Sequence, residues 1–219
     1  MDTMTQFTRR DSSHLARMTD QFRRERALAR ADVDHVFEKW FGDLCPGWLE
    51  ALDARDDPRW TEDQFDRFIL AVDAHLPFRD ALVLSALDTM SLEDMEEAVT
   101  HPFSERAAEI TVTRTWEYLN NPYCVPDLDR TAFAVSIIRT ASSAISESPS
   151  VGFYSMEAYL CWWMGRLTES EAANEKAIQL SEDYPLARIM RNTYTRGLVP
   201  AWLRRQIIEH AGQEGEEVR

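Results

Sequence analysis

Residues 153–190, FYSMEAYLCWWMGRLTESEAANEKAIQLSEDYPLARIM, carry the pattern that decides the fold class of this chain. In the first half, Phe153, Met156, Leu160, Trp163, Met164 and Leu167 recur at helical spacing, and Tyr154, Ala158, Cys161 and Trp162 add apolar surface on the other side. A helix apolar nearly all round is buried on more than one face. Gly165 supplies the left-handed conformation that closes a helix, and Thr168 with Glu171 has the capping-box spacing that opens another. The following segment carries Ala172, Ala173, Ala177 and Ile178, with small residues where two antiparallel helices must approach closely. A tight helical hairpin is predicted over 152–182.

The remaining residues agree with that class. A chain of 219 residues suits one domain and can bury a substantial core, and seven Trp, ten Phe and 44% hydrophobic content make it globular rather than disordered. Only seven Gly, with few alternating Val, Ile or Thr runs, argue against sheets. The expectation is an all-α protein of about ten helices, a multi-helix right-handed bundle or short solenoid with the hairpin near its C-terminus. Thr61 and Gln64 form a second capping-box spacing ahead of Phe65, Phe68, Ile69 and Val72. Gly42, Pro77 and Gly197 mark helix ends, and residues 127–146 are apolar enough to be central. Over 104–120 the stripe is less clean, with Ala107, Ile110, Arg114 and Leu119 flanking Trp116.

Charge divides the chain unevenly. Between residues 9 and 30 seven Arg face three acids, a local balance of +4 in a chain of net −14, so the rest carries −18. This predicts a basic, amphipathic N-terminal arm over 1–30, a single helical domain over 31–211 and a frayed acidic tail over 212–219. An acidic body repels nucleic acid, so direct nucleic-acid binding is disfavoured and cationic partners are favoured. Cys45, Cys124 and Cys161 are far apart and lack CxxC spacing, which indicates neither a disulfide framework nor a zinc knuckle. No apolar run reaches the length of a membrane span, and MDTMTQFTRRDSS lacks the apolar run of a secretory signal. A cytoplasmic location is expected.

Gly165, the small Ser170 and the run 176–180, KAIQL, resemble the second half of a tetratricopeptide (TPR) repeat, and Tyr154 and Ala158 match the aromatic and small positions of its first helix. Glu157, Asn174 and the late Pro185 depart from that pattern. A longer stretch, 72–205, is similar to the C-terminal half of an actinobacterial family known only as a domain of unknown function. The similarity runs through RDALVL at 79–84, the Gly165 hairpin, DYPLA at 183–187, and Gly197 with Pro200. That resemblance implies no activity. The TPR resemblance implies that the first hairpin helix lines a concave surface, so that Ser155, Tyr159, Trp162 and Trp163 face a bound peptide or protein. Against this, the all-round apolar pattern places at least one of the two Trp in the core.

Motifs for chemistry are sparse. Asp32, Asp34, His35 and Glu38 form the best metal candidate, but bundle metal sites need such pairs on facing helices, and neither a second copy nor HExxH is present. The pattern reads as a capped, solvated helix start. There is no GxSxG elbow, no glycine-rich phosphate loop, and no recognisable His partner for Cys45. His75 and His101 fall near helix ends, where an imidazolium caps exposed carbonyls. No catalytic residue, metal or cofactor is indicated. The leading expectation is a non-enzymatic cytoplasmic protein–protein interaction module, adaptor or regulatory. The alternative is an acidic inhibitor or mimic that docks the basic site of a nucleic-acid-binding protein, with Asp53, Asp56, Asp57, Glu93, Asp94, Glu96 and Glu97 on one face. A third reading is an enzyme whose groups come from distant helices.

Overall fold

The computed structural model describes residues 10–29, 33–145 and 150–217, and every regular element among them is helical. In chain order these are α1 (Ser12–Ala29), α2 (Val33–Phe41), α3 (Leu44–Ala54), α4 (Glu62–Ala74), α5 (Leu76–Leu87), α6 (Leu92–Thr100) and α7 (Glu105–Ala108). A π-helical turn (Glu109–Thr113) follows, then α8 (Arg114–Asn120), α9 (Leu128–Ser143), α10 (Ser150–Trp163), α11 (Leu167–Leu180), α12 (Pro185–Thr195) and α13 (Ala201–Glu217). None of these is long and apolar enough to cross a membrane.

Helix α10 is the axis of the bundle, with α11 antiparallel to it and α9, α12, α5 and α4 around its other sides. Phe153, Met156, Leu160, Cys161 and Trp163 are each fully buried, as an all-round apolar helix requires. The α10–α11 approach is close because the facing residues are small. Ala158, Ser170, Ala173 and Ala177 are all buried, and Ser170 Oγ donates to the Ala158 carbonyl at 2.6 Å. Gly165 turns the chain at φ 75°. The capping box expected at Thr168 does not form: α11 starts at Leu167 behind Arg166, so Thr168 is already inside the first turn. The one at Thr61 and Gln64 forms in both directions.

The N-terminal arm is fixed to the body rather than loosely attached. Leu15 and Phe22 enter the core, where the Phe22 ring meets Trp40, Phe41 and His75 at 5.2–6.4 Å. Arg10 grips the buried Asp66 with two hydrogen bonds of 2.6 Å, and Glu25 accepts from Lys39 and Trp40. The part of the arm before residue 10 lies outside the described residues. At the other end, α13 continues to Glu217, past the point where fraying is expected.

Candidate binding groove

Helix α5 is buried at almost every position from Phe78 to Leu87, so it needs cover on all sides. On one side that cover is thin. It is the segment of α7, the π turn and α8, whose helical pieces have only four and seven residues. A π turn inserts an extra residue relative to an α-helix and rotates everything after it. Thr111 and Thr115 bond the carbonyls four residues before them, each at 2.7 Å, in the same stretch. The consequence is that Tyr118 turns inward against Trp163, whereas Val112 and Trp116 remain 65% exposed.

Between this segment and α5 lies a groove of about 450 Å³. Its floor is Val83, Leu84 and Leu87, its outer wall Val112, Trp116 and Leu119, and Tyr159 of α10 closes one end. Asp80 is the single charged residue that lines it, and its carboxylate accepts from Arg79 at 2.8 Å. The lining is thus apolar apart from Asp80 and the hydroxyls of Thr111 and Thr115, a composition suited to apolar side chains.

Of the four residues expected to face a partner, only Tyr159 belongs to this groove. Ser155 is fully buried and donates to the Val151 carbonyl at 2.9 Å. Trp163 is fully buried and Trp162 is 3% exposed, the two rings packing edge-on at 4.7 Å. Trp162 Nε1 donates to the Leu198 carbonyl, and Trp202 Nε1 donates to that of Trp163. These three are therefore core residues, because α9, α12 and α13 cover the helix face that an open TPR-like surface would leave concave. Sequence reasoning missed Val112 and Trp116, and the only signal for them was the broken stripe over 104–120.

Three other places carry polar groups. Asp34, Glu38, Glu93, Glu96 and Glu97 line a cleft of about 420 Å³ between α2 and α6, where His101 Nδ1 stands 3.9 Å from Asp34. Among the described residues no group of three His, Cys, Asp or Glu side chains is placed to hold a metal, and Asp32 lies outside them. Cys45 borders this cleft, but burial pushes its thiol up to about 12, which leaves it protonated and unreactive. Asp56 and Asp57 line a different cleft with Asp43 and Glu50, while Asp53 pairs with Arg130 and Asp94 with Arg106, so the expected acids do not share one cleft. In a cleft between α1 and α4, burial raises the Asp73 carboxyl to about 7, offset by the Gly152 amide at the start of α10 and by Arg79. Finally, His75 is no imidazolium cap. Burial lowers it to about 4, and the neutral ring hydrogen-bonds the Val99 carbonyl at 2.9 Å.

The chain matches no family model, no curated protein and no solved structure. The groove itself is therefore the guide to function.

Proposed function

We propose that the protein is a non-enzymatic interaction module that receives the apolar face of an α-helix in the groove between α5 and α8. The observation that carries this reading is Trp116, a large aromatic side chain held 65% exposed beside an apolar floor. Helices docked in grooves are read through apolar anchors at i, i+3, i+4 and i+7, and exposed Trp and Tyr are the residue types that dominate binding energy. In this reading α10 and α11 are a TPR-like hairpin whose usual concave face has been closed by neighbouring helices, with recognition moved to α8. The protein acts in the cytoplasm, where its three unpaired cysteines stay reduced.

Selection of displayed helical peptides on the wild-type protein tests the proposal, with Val112→Asp and Trp116→Asp as counter-targets. The expected result is a consensus of apolar residues at i, i+3, i+4 and i+7 that neither variant binds. Peptides that bind both variants as well as wild type would remove the groove from consideration. The second reading, an acidic mimic, draws support from the five carboxylates around the α2–α6 cleft. It predicts basic peptides without apolar periodicity, released as salt is raised.

A further inference from the structure

Helix α13 presents the other half of such an interface. Its first turn is anchored, with Ala201 and Trp202 buried and Arg205 stacked over Tyr123 at 4.6 Å. The rest of the helix is different. Arg204, Ile207, Ile208 and Ala211 stand at i, i+3, i+4 and i+7, all of them exposed, with Ile207 at 55% and Ile208 at 66%. Ile208 lies seven residues after the buried Ala201, on the same face, so its exposure reflects a helix that has run past its own body. A helix of that kind gains most of its stability from packing its apolar stripe against something.

Two incomplete surfaces thus sit on one chain: a convex stripe on α13 and a concave trough beside α8, the helix against which α13 itself packs. Within one chain the two do not meet, since Ile207 and Ile208 are exposed and no residue of α13 lines the groove. Charge also matches. The stripe contributes the cation Arg204, and the one charged side chain lining the groove is the acid Asp80, which also accepts from Arg79 of its own chain.

We propose that the occupant of the groove is α13 of a second copy of this chain, exchanged reciprocally across a two-fold axis. Ile207 and Ile208 enter the trough between Trp116 and the α5 floor, and Arg204 lies toward Asp80. Because each copy offers both halves, the contact is isologous and closes as a dimer rather than growing into a filament. This rests on the reading of the groove as a helix-binding site.

Sedimentation of the full-length protein over a concentration series tests it, with Ile207→Asp/Ile208→Asp and Trp116→Asp variants alongside. The wild type is expected at twice the chain mass of 25.4 kDa. Each variant should weaken association by on the order of 30-fold or more, the loss typical of a central hot spot. Circular dichroism checks that each variant stays folded. The decisive sample is an equimolar mixture of the two variants. The stripe variant keeps an intact groove and the groove variant an intact stripe, so one of the two reciprocal contacts is restored and the mixture associates more tightly than either variant alone. A wild type that stays monomeric across the series overturns the second-copy inference, while the peptide selection above still decides the groove. A dimer indifferent to Trp116→Asp overturns the exchange and again leaves the groove to the peptide selection. A dimer lost in both variants without recovery on mixing places the interface elsewhere and overturns the reciprocal exchange.

Discussion

Trp163 and Trp116 are the same residue type on helices that touch one another's surroundings, and they meet opposite ends. Trp163 belongs to a helix apolar on all sides, so every direction in which its ring could point is occupied: Tyr118, Tyr159 and Trp162 surround it within 5.8 Å. Trp116 belongs to a two-turn helix that follows a π turn, with the core already filled by Tyr118 two residues later. Hydrophobicity alone does not place a tryptophan. The number of neighbouring elements that must be covered does, and α8 has too few of them to hide both rings.

The largest expected effect follows from that closure. Trp163→Ala should cost about 3–5 kcal/mol, the range for removing a large aromatic from a packed core. The hydrogen bond from Trp202 to the backbone carbonyl of this residue survives the change, so the α13 start should stay anchored. Chemical denaturation measures the first and limited proteolysis near residue 200 the second. A loss under about 1 kcal/mol would mean that the cluster is looser than its packing implies.

Next in size is the tie that holds the arm. Arg10→Ala leaves Asp66, with 4% of its side chain exposed, a buried carboxylate without its bidentate partner. Breaking a buried pair in this way costs about 3 kcal/mol or more, well above the 0–1 kcal/mol of a surface pair. Denaturation midpoints of Arg10→Ala and of the surface control Arg59→Ala, which loses only Asp56, make the comparison. Equal effects would show that the Arg10 tie is worth no more than a surface pair and that Leu15, Phe22 and Glu25 hold α1.

Packing has also buried two titrating groups, Asp73 beside the start of α10 and His75 among α1, α2 and α6, and they pull in opposite directions. Asp73 is raised from 3.8 to about 7, so its contribution is complete below 3.8 and is lost as pH rises toward 7. His75 is lowered from 6.5 to about 4, so its contribution is complete above 6.5 and is lost as pH falls toward 4. Each group acts with a slope of up to roughly 1.4 kcal/mol per pH unit, and between pH 5 and 6.5 the two cancel. Wild-type stability should therefore be nearly flat in that window. Asp73→Asn keeps an acceptor for the Gly152 amide and removes one of the two slopes, so the variant should be more stable than wild type at pH 8 and should lose stability on acidification from 6.5 to 5. Urea midpoints across the range check this. A wild type that slopes in parallel with the variant would show that Asp73 is ionised and solvated.

The closed half of this comparison was largely legible in the sequence. The all-round apolar pattern of 153–164, Gly165 and the small residues of α11 each predicted a feature that the fold contains. What did not hold was the exposure of three of the four residues on the expected face. The TPR resemblance assigns Ser155, Trp162 and Trp163 to an open concave surface, but which faces of a helix remain open depends on helices distant in sequence, here α9, α12 and α13. The groove failed for a related reason. Its residues come from α5, the π turn with α8, and α10, three segments that no local pattern joins. The π turn registered only as an untidy stripe around Trp116, which helical periodicity cannot resolve because the rotation per residue changes within it. His75 was misjudged because proximity to a helix end says nothing of burial, and here burial sets its charge.

The smallest expected effect on stability is the sharpest test of the contrast. Trp116→Ala removes a side chain that is mostly in water, so the stability of the folded chain should change by no more than about 0.5 kcal/mol. The same substitution should weaken whatever occupies the groove by on the order of 30-fold, because an exposed Trp beside an apolar trough gains its burial only on association. Trp163→Ala shows the reverse division, a large stability cost while the groove keeps every side chain that lines it. Measuring both variants for unfolding and for association therefore separates a residue that holds the fold from one that the fold holds out. If Trp116→Ala proved as destabilising as Trp163→Ala, its ring would be part of the core and the groove would be a packing defect. If it altered neither stability nor association, the exposed wall of α8 would be inert.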